Sequence, residues 1–274
     1  MPQNDLSGIY DLHIHSAPDI VPRCVDDVEA ALQALDSGMA GILLKSHCTL
    51  TSDRATMASK VVTGLRVFGS LTLNETVGGL NVRAVEAALM MNAKEIYMPT
   101  LSADNDRKAR KLNRGIDIRD GCWKEAVGEI LALIKDHDAI LATGHLSKDE
   151  TVALIGWASN QGIRKIVVTH PEHPFINFSA AEQKGLWRKG VFFERCFAST
   201  LPHLGDVPLE RIAREIQEVG AASSILATDL GIAGYPFPVD GMDRFIAGLK
   251  KLGVQEREID VMTRTNPRYL VEGG

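Results

Sequence analysis

The sequence predicts a (β/α)8 barrel, a closed sheet of eight parallel strands in which a helix follows each strand. Eight short apolar runs recur along the 274 residues, and each is followed by a segment whose apolar residues repeat with helical periodicity. Several of these runs end in a histidine or an aspartate. Parallel barrel strands are buried on both faces, so polar side chains at their ends are expected to line the mouth where barrel enzymes place their chemistry.

The predicted strands and the helices between them can be placed in order along the chain. The strands are residues 9–15, 41–47, 66–74, 95–100, 139–145, 165–170, 191–196 and 224–231. The longest interval follows strand four, where the polar segment 101–120 is interpreted as an insertion that covers the barrel mouth. Two capping-box patterns, Ser147 with Glu150 and Ser179 with Glu182, predict helices that begin just after strands five and six.

Composition and charge favour one domain, residues 1–274, that acts on a small molecule. No linker rich in proline, glycine or serine divides the chain, and single barrels usually have about 250 residues. The net charge of −5, without a clustered basic face, argues against nucleic acid and an anionic membrane as partners. The cysteines form no CxxC pair and the N-terminus shows no signal pattern, so a cytoplasmic location is expected. Association into a homo-oligomer is left open.

Metal-type ligands follow the strand periodicity. In strand one, Asp11, His13 and His15 share a parity and are expected to point to one side, the barrel interior. The His-x-His pair would deliver two imidazoles to a single ion. Further side chains at strand ends are expected to face the same central point, namely Lys45, His47, His145, His170 and Asp229. Imidazoles and a carboxylate suit Zn²⁺, Mn²⁺ or Fe²⁺, with zinc the commonest in non-redox hydrolytic sites.

Five short motifs in a fixed order carry a resemblance to a known family. They are Asp11-Leu-His-Ile-His15, Thr143-Gly-His145, Thr169-His170-Pro171, Thr228-Asp229-Leu-Gly231 and Thr265-Asn266-Pro267. In this order and spacing, and over essentially the whole chain, the sequence resembles the amidohydrolase superfamily of metal-dependent (β/α)8 hydrolases. The resemblance implies an enzyme that uses one or two divalent metal ions, zinc first among them.

The resemblance also implies roles for individual residues. His13 and His15 would bind the buried metal, and His145 and His170 would complete a second site or hold substrate and water. Asp229 would be both a metal ligand and the proton shuttle. The expected catalytic residues are Asp229, His170 and Lys45. A metal-bound hydroxide is expected to attack an amide, lactone or ester bond of a small acid.

One position departs from the family pattern. Binuclear members commonly place a carboxylated lysine or a glutamate on strand four as a bridging ligand, and strand four here is interpreted as offering neither. Lys45 could supply a relocated carbamate, or it could pair as an ammonium with Asp11 or Asp229. Glu75, just after strand three, is the other candidate. Without either bridge the site is expected to hold one metal ion.

Three further residues, His47, His173 and Glu194, are predicted to contact substrate at the barrel mouth. His47 could instead support the ligands, and His173 could cap a loop. Glu194 and Arg195 have opposite parity on strand seven, so one faces the barrel and the other the helices, and Glu194 is assigned to the mouth. The Lys/Arg group at 107–114 is interpreted as a solvated face, with anchoring of an anionic substrate as the alternative.

The same ligand set leaves other activities open. A metal-dependent decarboxylase or related lyase would use the same barrel and would release carbon dioxide without incorporating water. A phosphoesterase is a further alternative, but the type that also begins Asp-x-His-x-His has histidine ligands late in the chain, and no histidine follows His203 here. A non-catalytic metal-binding or ligand-binding relative is disfavoured, because Asp229 and every histidine of the set are present.

Overall fold

Eight parallel strands form one sheet, hydrogen-bonded in chain order, in the computed structural model, which describes residues 4–188 and 190–273. The strands are β1 (Tyr10–His15), β2 (Gly41–Lys45), β3 (Arg66–Thr72), β4 (Ala93–Tyr97), β5 (Ile140–Ala142), β6 (Ile166–Val168), β7 (Val191–Cys196) and β8 (Ser224–Ala227). The backbone N–H groups of His15 and Asp229 donate to the carbonyls of Leu230 and His13, each at 2.8 Å. The two edges of the sheet therefore meet, and the predicted (β/α)8 barrel is confirmed.

Helices surround the barrel and connect its strands. They are α1 (Asp27–Asp36), α2 (Ser52–Val61), α3 (Val82–Met90), α4 (Asp104–Ala109), α5 (Lys124–Asp136), α6 (Lys148–Asn160), α7 (Ala180–Leu186), α8 (Leu209–Val219), α9 (Pro238–Lys251), α10 (Glu256–Asp260) and α11 (Asn266–Glu272). Ser147 and Ser179 each form a reciprocal capping box with the glutamate three residues later, as predicted. Within the described ranges, no helix is both long and apolar enough to cross a bilayer.

The insertion predicted after strand four contains α4 and packs over the barrel mouth. From this helix, Asn105 Nδ2 donates hydrogen bonds to the carbonyl oxygens of His145 (3.2 Å) and Phe175 (3.0 Å). These carbonyls belong to the loops that follow β5 and β6. The insertion is therefore tied to the segments that carry the predicted ligands.

Strand β1 does not keep the strict alternation predicted for it. Its pairing with β2 shifts by one residue between Asp11 and Ile14, as in a β-bulge. Leu12 packs in the apolar cluster of the barrel interior, while Asp11 accepts hydrogen bonds from the backbone N–H and the hydroxyl of Thr228. The prediction that Asp11 shares the orientation of His13 was wrong, because the bulge places an extra residue between them.

Three strands end before the ligand that was predicted to belong to them. β5, β6 and β8 stop short of His145, His170 and Asp229, respectively. The chain turns there through left-handed backbone conformations, with φ of 59° at Gly144, 28° at His170 and 53° at Asp229. A β-carbon at Gly144 would lie 2.4 Å from the carbonyl oxygen of Met98, so this turn requires glycine. These ligands therefore stand on the first loop residues, just above the sheet.

Candidate metal centre

Three of the predicted ligands converge where β1 ends and β8 gives way to its loop. Asp229 Oδ1 lies 3.0 Å from His13 Nε2 and 3.1 Å from His15 Nε2. The three ligand atoms lie within 4.8 Å of one another, and both histidines are buried. Two imidazole nitrogens that face one carboxylate oxygen are donors that suit a divalent ion such as zinc. The donor set therefore fits the expected metal.

Glu194 on β7 fixes the orientation of the His13 ring. Its Oε2 lies 3.0 Å from His13 Nδ1, and both side chains are fully buried. A carboxylate that accepts from one imidazole nitrogen leaves the other nitrogen to face a metal. Glu194 faces the interior as predicted, but it contacts His13 and is not among the described residues that line the cavity at the mouth. Its position suits support of the ligand better than contact with substrate.

The two histidines of β1 differ in proton affinity. Burial disfavours a charged His13, but the negative charges of Asp229 and Glu194 outweigh it and raise the pKa of His13 to about 9. Burial lowers the pKa of His15 to about 3, despite its hydrogen bond to Asp229. His15 is therefore neutral at pH 7, whereas His13 carries a proton that a metal ion would replace.

Lys45 reaches the same point from β2. Its Nζ lies 2.8 Å from His13 Nε2 and 4.5 Å from the centre of the Tyr97 ring. Burial lowers the pKa of Lys45, although nearby carboxylates oppose the shift. Among the described residues its hydrogen-bond partner is His13, so the structure lacks both ion pairs considered from the sequence, with Asp11 and with Asp229. Asp11 is instead engaged by β8, as described above.

A row of imidazoles continues from β1 around the mouth. The ring centres of His15 and His47 are 4.8 Å apart, those of His47 and His145 are 6.0 Å apart, and those of His145 and His170 are 5.0 Å apart. All four rings line a cavity of about 540 Å³ that also contacts Lys45. The structure thus brings together histidines that the sequence placed at the ends of four separate strands.

Asp106, a residue that the sequence did not single out, holds His145. Its Oδ2 lies 2.7 Å from His145 Nδ1, and its Oδ1 accepts from Arg110 Nε at 2.6 Å. Burial lowers the pKa of His145 to about 4 against the effect of this carboxylate. The hydrogen bond leaves Nε2 as the nitrogen of His145 that is free to accept a proton or a ligand. Asp106 lies within the insertion, where no strand periodicity could point to it.

His170 and His173 both line the cavity, from the loop after β6. His173 Nε2 donates to the carbonyl oxygen of Leu204 at 2.6 Å, so this ring also ties down a loop, the alternative role considered for it. The Phe175 ring packs against both rings, with its centre 5.8 Å from that of His170 and 4.1 Å from that of His173. The substrate-binding prediction for His173 is compatible with its place in the cavity wall.

A glutamate on β4 corrects the interpretation of that strand. Glu95 is buried, and burial together with the charge of Glu194 raises its pKa well above the usual range. It interacts electrostatically with His13 and Lys45 and is not among the described residues that line the cavity. Glu75, the other bridging candidate, is exposed and bonds to Arg107 instead. Neither glutamate reaches the converging atoms of His13, His15 and Asp229.

Comparison with known proteins gives one family match. Residues 8–194 match the model of a family described as "Family of unknown function (DUF6282)". No curated protein matches the chain in sequence.

Several known structures share the architecture. An amidohydrolase from Pseudomonas aeruginosa is 13% identical with a TM-score of 0.68, and the match covers 97% of this chain and 96% of that one. The organophosphorus hydrolase from Deinococcus radiodurans is 15% identical with a TM-score of 0.66, over 97% and 93%. A 2,6-dihydroxybenzoate decarboxylase is 12% identical with a TM-score of 0.59, over 97% and 99%. At these identities the similarity establishes the common barrel fold.

Proposed function

We propose that this chain, which belongs to DUF6282, a family of unknown function, is a metal-dependent hydrolase that cleaves an amide, lactone or ester bond of a small molecule. The observation that carries the proposal is the convergence of His13 Nε2, His15 Nε2 and Asp229 Oδ1 at the mouth of the barrel. The hydrolases with the same fold, an amidohydrolase and an organophosphorus hydrolase, support this class of reaction.

In the proposed site His13, His15 and Asp229 would hold the ion, with zinc the first candidate. A bound divalent metal lowers the pKa of water and polarises a carbonyl oxygen. Glu194 keeps Nε2 of His13 directed at the ion through its hydrogen bond to Nδ1. His15 is neutral, and coordination through Nε2 would require only that its single proton move from Nε2, where it bonds to Asp229, to Nδ1.

The other residues of the cavity would orient substrate and move the proton. Asp229 would accept the proton of the attacking water and return it to the leaving group, since its carboxylate lies at the centre of the site. His145 would present Nε2 to the substrate, because Asp106 engages its Nδ1. His170 would also contact the substrate, because its ring centre lies 5.0 Å from that of His145. His47 and His173 would complete the wall against which the substrate lies.

Metal analysis and an activity panel test the proposal together. The protein should bind a divalent ion after reconstitution, and it should hydrolyse one or more members of a panel of lactones, esters and amides in a manner that chelation abolishes. His13→Ala should lose both metal and activity. The matched control is His137→Ala, which removes an exposed histidine at the end of α5 and should change neither. Reconstituted wild-type protein without bound metal would overturn the proposal.

Isotope labelling in the same activity assay distinguishes hydrolysis from decarboxylation. The structural similarity to a decarboxylase is the reason to test this alternative. Turnover in water enriched in oxygen-18 should place the label in the product of a hydrolase. Release of carbon dioxide without label in the product would assign the site to a lyase instead.

A further inference from the structure

We propose that the substrate carries a carboxylate away from the reacting bond, and that Arg110 binds it. This inference rests on the proposed function only in taking the cavity as the substrate site. It names the class of substrate, a small organic acid, and assigns its anchoring residue.

The free end of the Arg110 guanidinium is the first observation. Arg110 follows α4 and lines the cavity, and its side chain is 55% exposed. Its Nε donates to Asp106 Oδ1 at 2.6 Å. In the described part of the chain, neither Nη1 nor Nη2 has a hydrogen-bond partner. Two parallel N–H groups at the end of a planar guanidinium match the two oxygens of a carboxylate.

The charges of the cavity wall are the second observation. Among the described residues, three cationic side chains line it, Arg23, Lys45 and Arg110, against one carboxylate, Asp229. The side chain of Arg23 is almost fully buried, and its Nε and Nη2 are engaged by Asp19. The Nζ of Lys45 is engaged by His13. Arg110 is therefore the cation of this wall whose exposed end is free for a ligand.

The position of Arg110 relative to the reacting groups is the third observation. Asp106 bridges Arg110 and His145, with contacts of 2.6 and 2.7 Å. An anion bound to Arg110 is thus held beside His145, which is separated from the metal ligand His15 by the ring of His47. Apolar side chains of Leu101, Phe175 and Leu204 lie in the same wall and suit the carbon skeleton of the acid.

Two other basic residues of this segment, Lys108 and Arg114, lie on the solvated face that the sequence predicts. Lys108 pairs with Asp104 and Arg114 pairs with Asp120, and both basic side chains are largely exposed. Neither is among the described residues that line the cavity. Lys108 and Asp104 repeat the i, i+4 ion pair of Arg110 and Asp106 on the same helix. Lys108 therefore provides a control for the removal of one positive charge from this helix.

Calorimetric binding of benzoate and of its neutral isostere benzamide to the metal-loaded protein tests the inference without any turnover. Wild-type protein should prefer benzoate. Arg110→Met should weaken benzoate binding about 10-fold or more, as expected for loss of a charge-assisted hydrogen-bonded pair, and should leave benzamide binding unchanged. Lys108→Met should leave both affinities within about twofold of wild type, because exposed charges are screened. Arg110→Lys keeps the charge but loses the planar fork, and it should bind benzoate with intermediate affinity.

Several outcomes would overturn the inference. Benzoate and benzamide of equal affinity for wild-type protein, or no measurable benzoate binding, would exclude a carboxylate site. Full benzoate affinity in Arg110→Met would assign the anion to another group, such as the metal. An equal loss in Lys108→Met would indicate non-specific attraction. A carboxylate site that depends on Arg110, in a protein that hydrolyses nothing in the panel, would retain this inference and reject the proposed reaction.

Discussion

Arg195 of β7 and Glu172, which lies in the loop between His170 and His173, form a fully buried ion pair. Arg195 points from β7 toward the helices, opposite to Glu194, as strand parity predicts. Its Nη1 also donates to Gln183 Oε1 of α7 at 2.7 Å. The pair therefore fixes the position of Glu172 between the two histidines and attaches their loop to the barrel wall.

Arg195→Met should strongly destabilise the protein. The substitution would leave the Glu172 carboxylate buried without its cationic partner, which typically costs about 3–5 kcal/mol of unfolding free energy. Urea denaturation measures this change. Lys184→Met removes one partner of an exposed ion pair with Glu218 and should cost no more than about 1 kcal/mol.

The double variant Arg195→Met with Glu172→Gln separates charge from packing. It should recover part of the lost stability, because no buried charge remains unpaired. Equal destabilisation by Arg195→Met and Lys184→Met would contradict the role assigned to the buried pair.

Asp106→Asn should impair catalysis with little effect on folding. The amide retains the size of the carboxylate but cannot hold the Nδ1–H of His145 with a charge, so His145 would lose its fixed orientation. Loss of such a supporting carboxylate typically lowers activity about 10–100-fold. Steady-state kinetics with a substrate from the hydrolysis panel measure the effect. Asp104→Asn removes a carboxylate from the same helix that pairs with Lys108, and it should retain most of the activity.

The ligands on strand ends could be predicted because a barrel turns the carboxyl ends of all its strands toward one place. His13 and His15 depend only on that geometry. Three features depend on tertiary contacts that no periodicity records. Asp11 turns away because of a bulge in β1, Asp106 comes from helix α4 of the insertion, and the partner of Arg195 comes from a loop.

The positions at which the strands end could not be predicted from periodicity either. The sequence runs apolar up to His170 and Asp229, so the pattern extends the strands to them. The backbone instead turns at both residues into positive φ, an arrangement that costs energy for side chains with a β-carbon and that the surrounding hydrogen bonds must hold. Such a turn depends on tertiary contacts in the closed barrel. The pattern of apolar and polar residues along the sequence therefore does not predict it.

Glu182 should make stability depend on pH in the acidic range. Hydrogen bonds from Lys148 and Ser179 lower the pKa of Glu182 from 4.5 to about 2. Because the folded-state pKa lies below the unfolded value, the stabilisation is fully present above about pH 4.5 and is lost as the pH falls toward 2. Thermal unfolding of wild type and Glu182→Gln should therefore differ at pH 7 and converge as the pH is lowered. A difference that stays constant with pH would contradict this assignment.

Lys45 should control how strongly the site binds metal and how many ions it holds. Its Nζ lies 2.8 Å from His13 Nε2, the same nitrogen that faces Asp229, so an unmodified lysine competes with a metal ion for this position. Glu95, the carboxylate of β4, is not part of the group of ligand atoms that converge from His13, His15 and Asp229. We therefore expect one ion per chain in wild type, and tighter binding in Lys45→Met because a nearby positive charge is removed. Lys165→Met, which removes a buried lysine that pairs with Asp138, should not change metal affinity.

Counting metal per chain in the presence of bicarbonate distinguishes this expectation from a carboxylated Lys45. A carbamate could bridge two ions about 3.5–4 Å apart, the spacing of two-metal hydrolytic sites. Two ions in wild type that fall to one in Lys45→Met, together with the added mass of carbon dioxide on the intact protein, would establish the bridge and contradict the one-ion expectation. One ion in both proteins, bound more tightly by the variant, means that the amine opposes the metal and that His13, His15 and Asp229 hold it without a bridge.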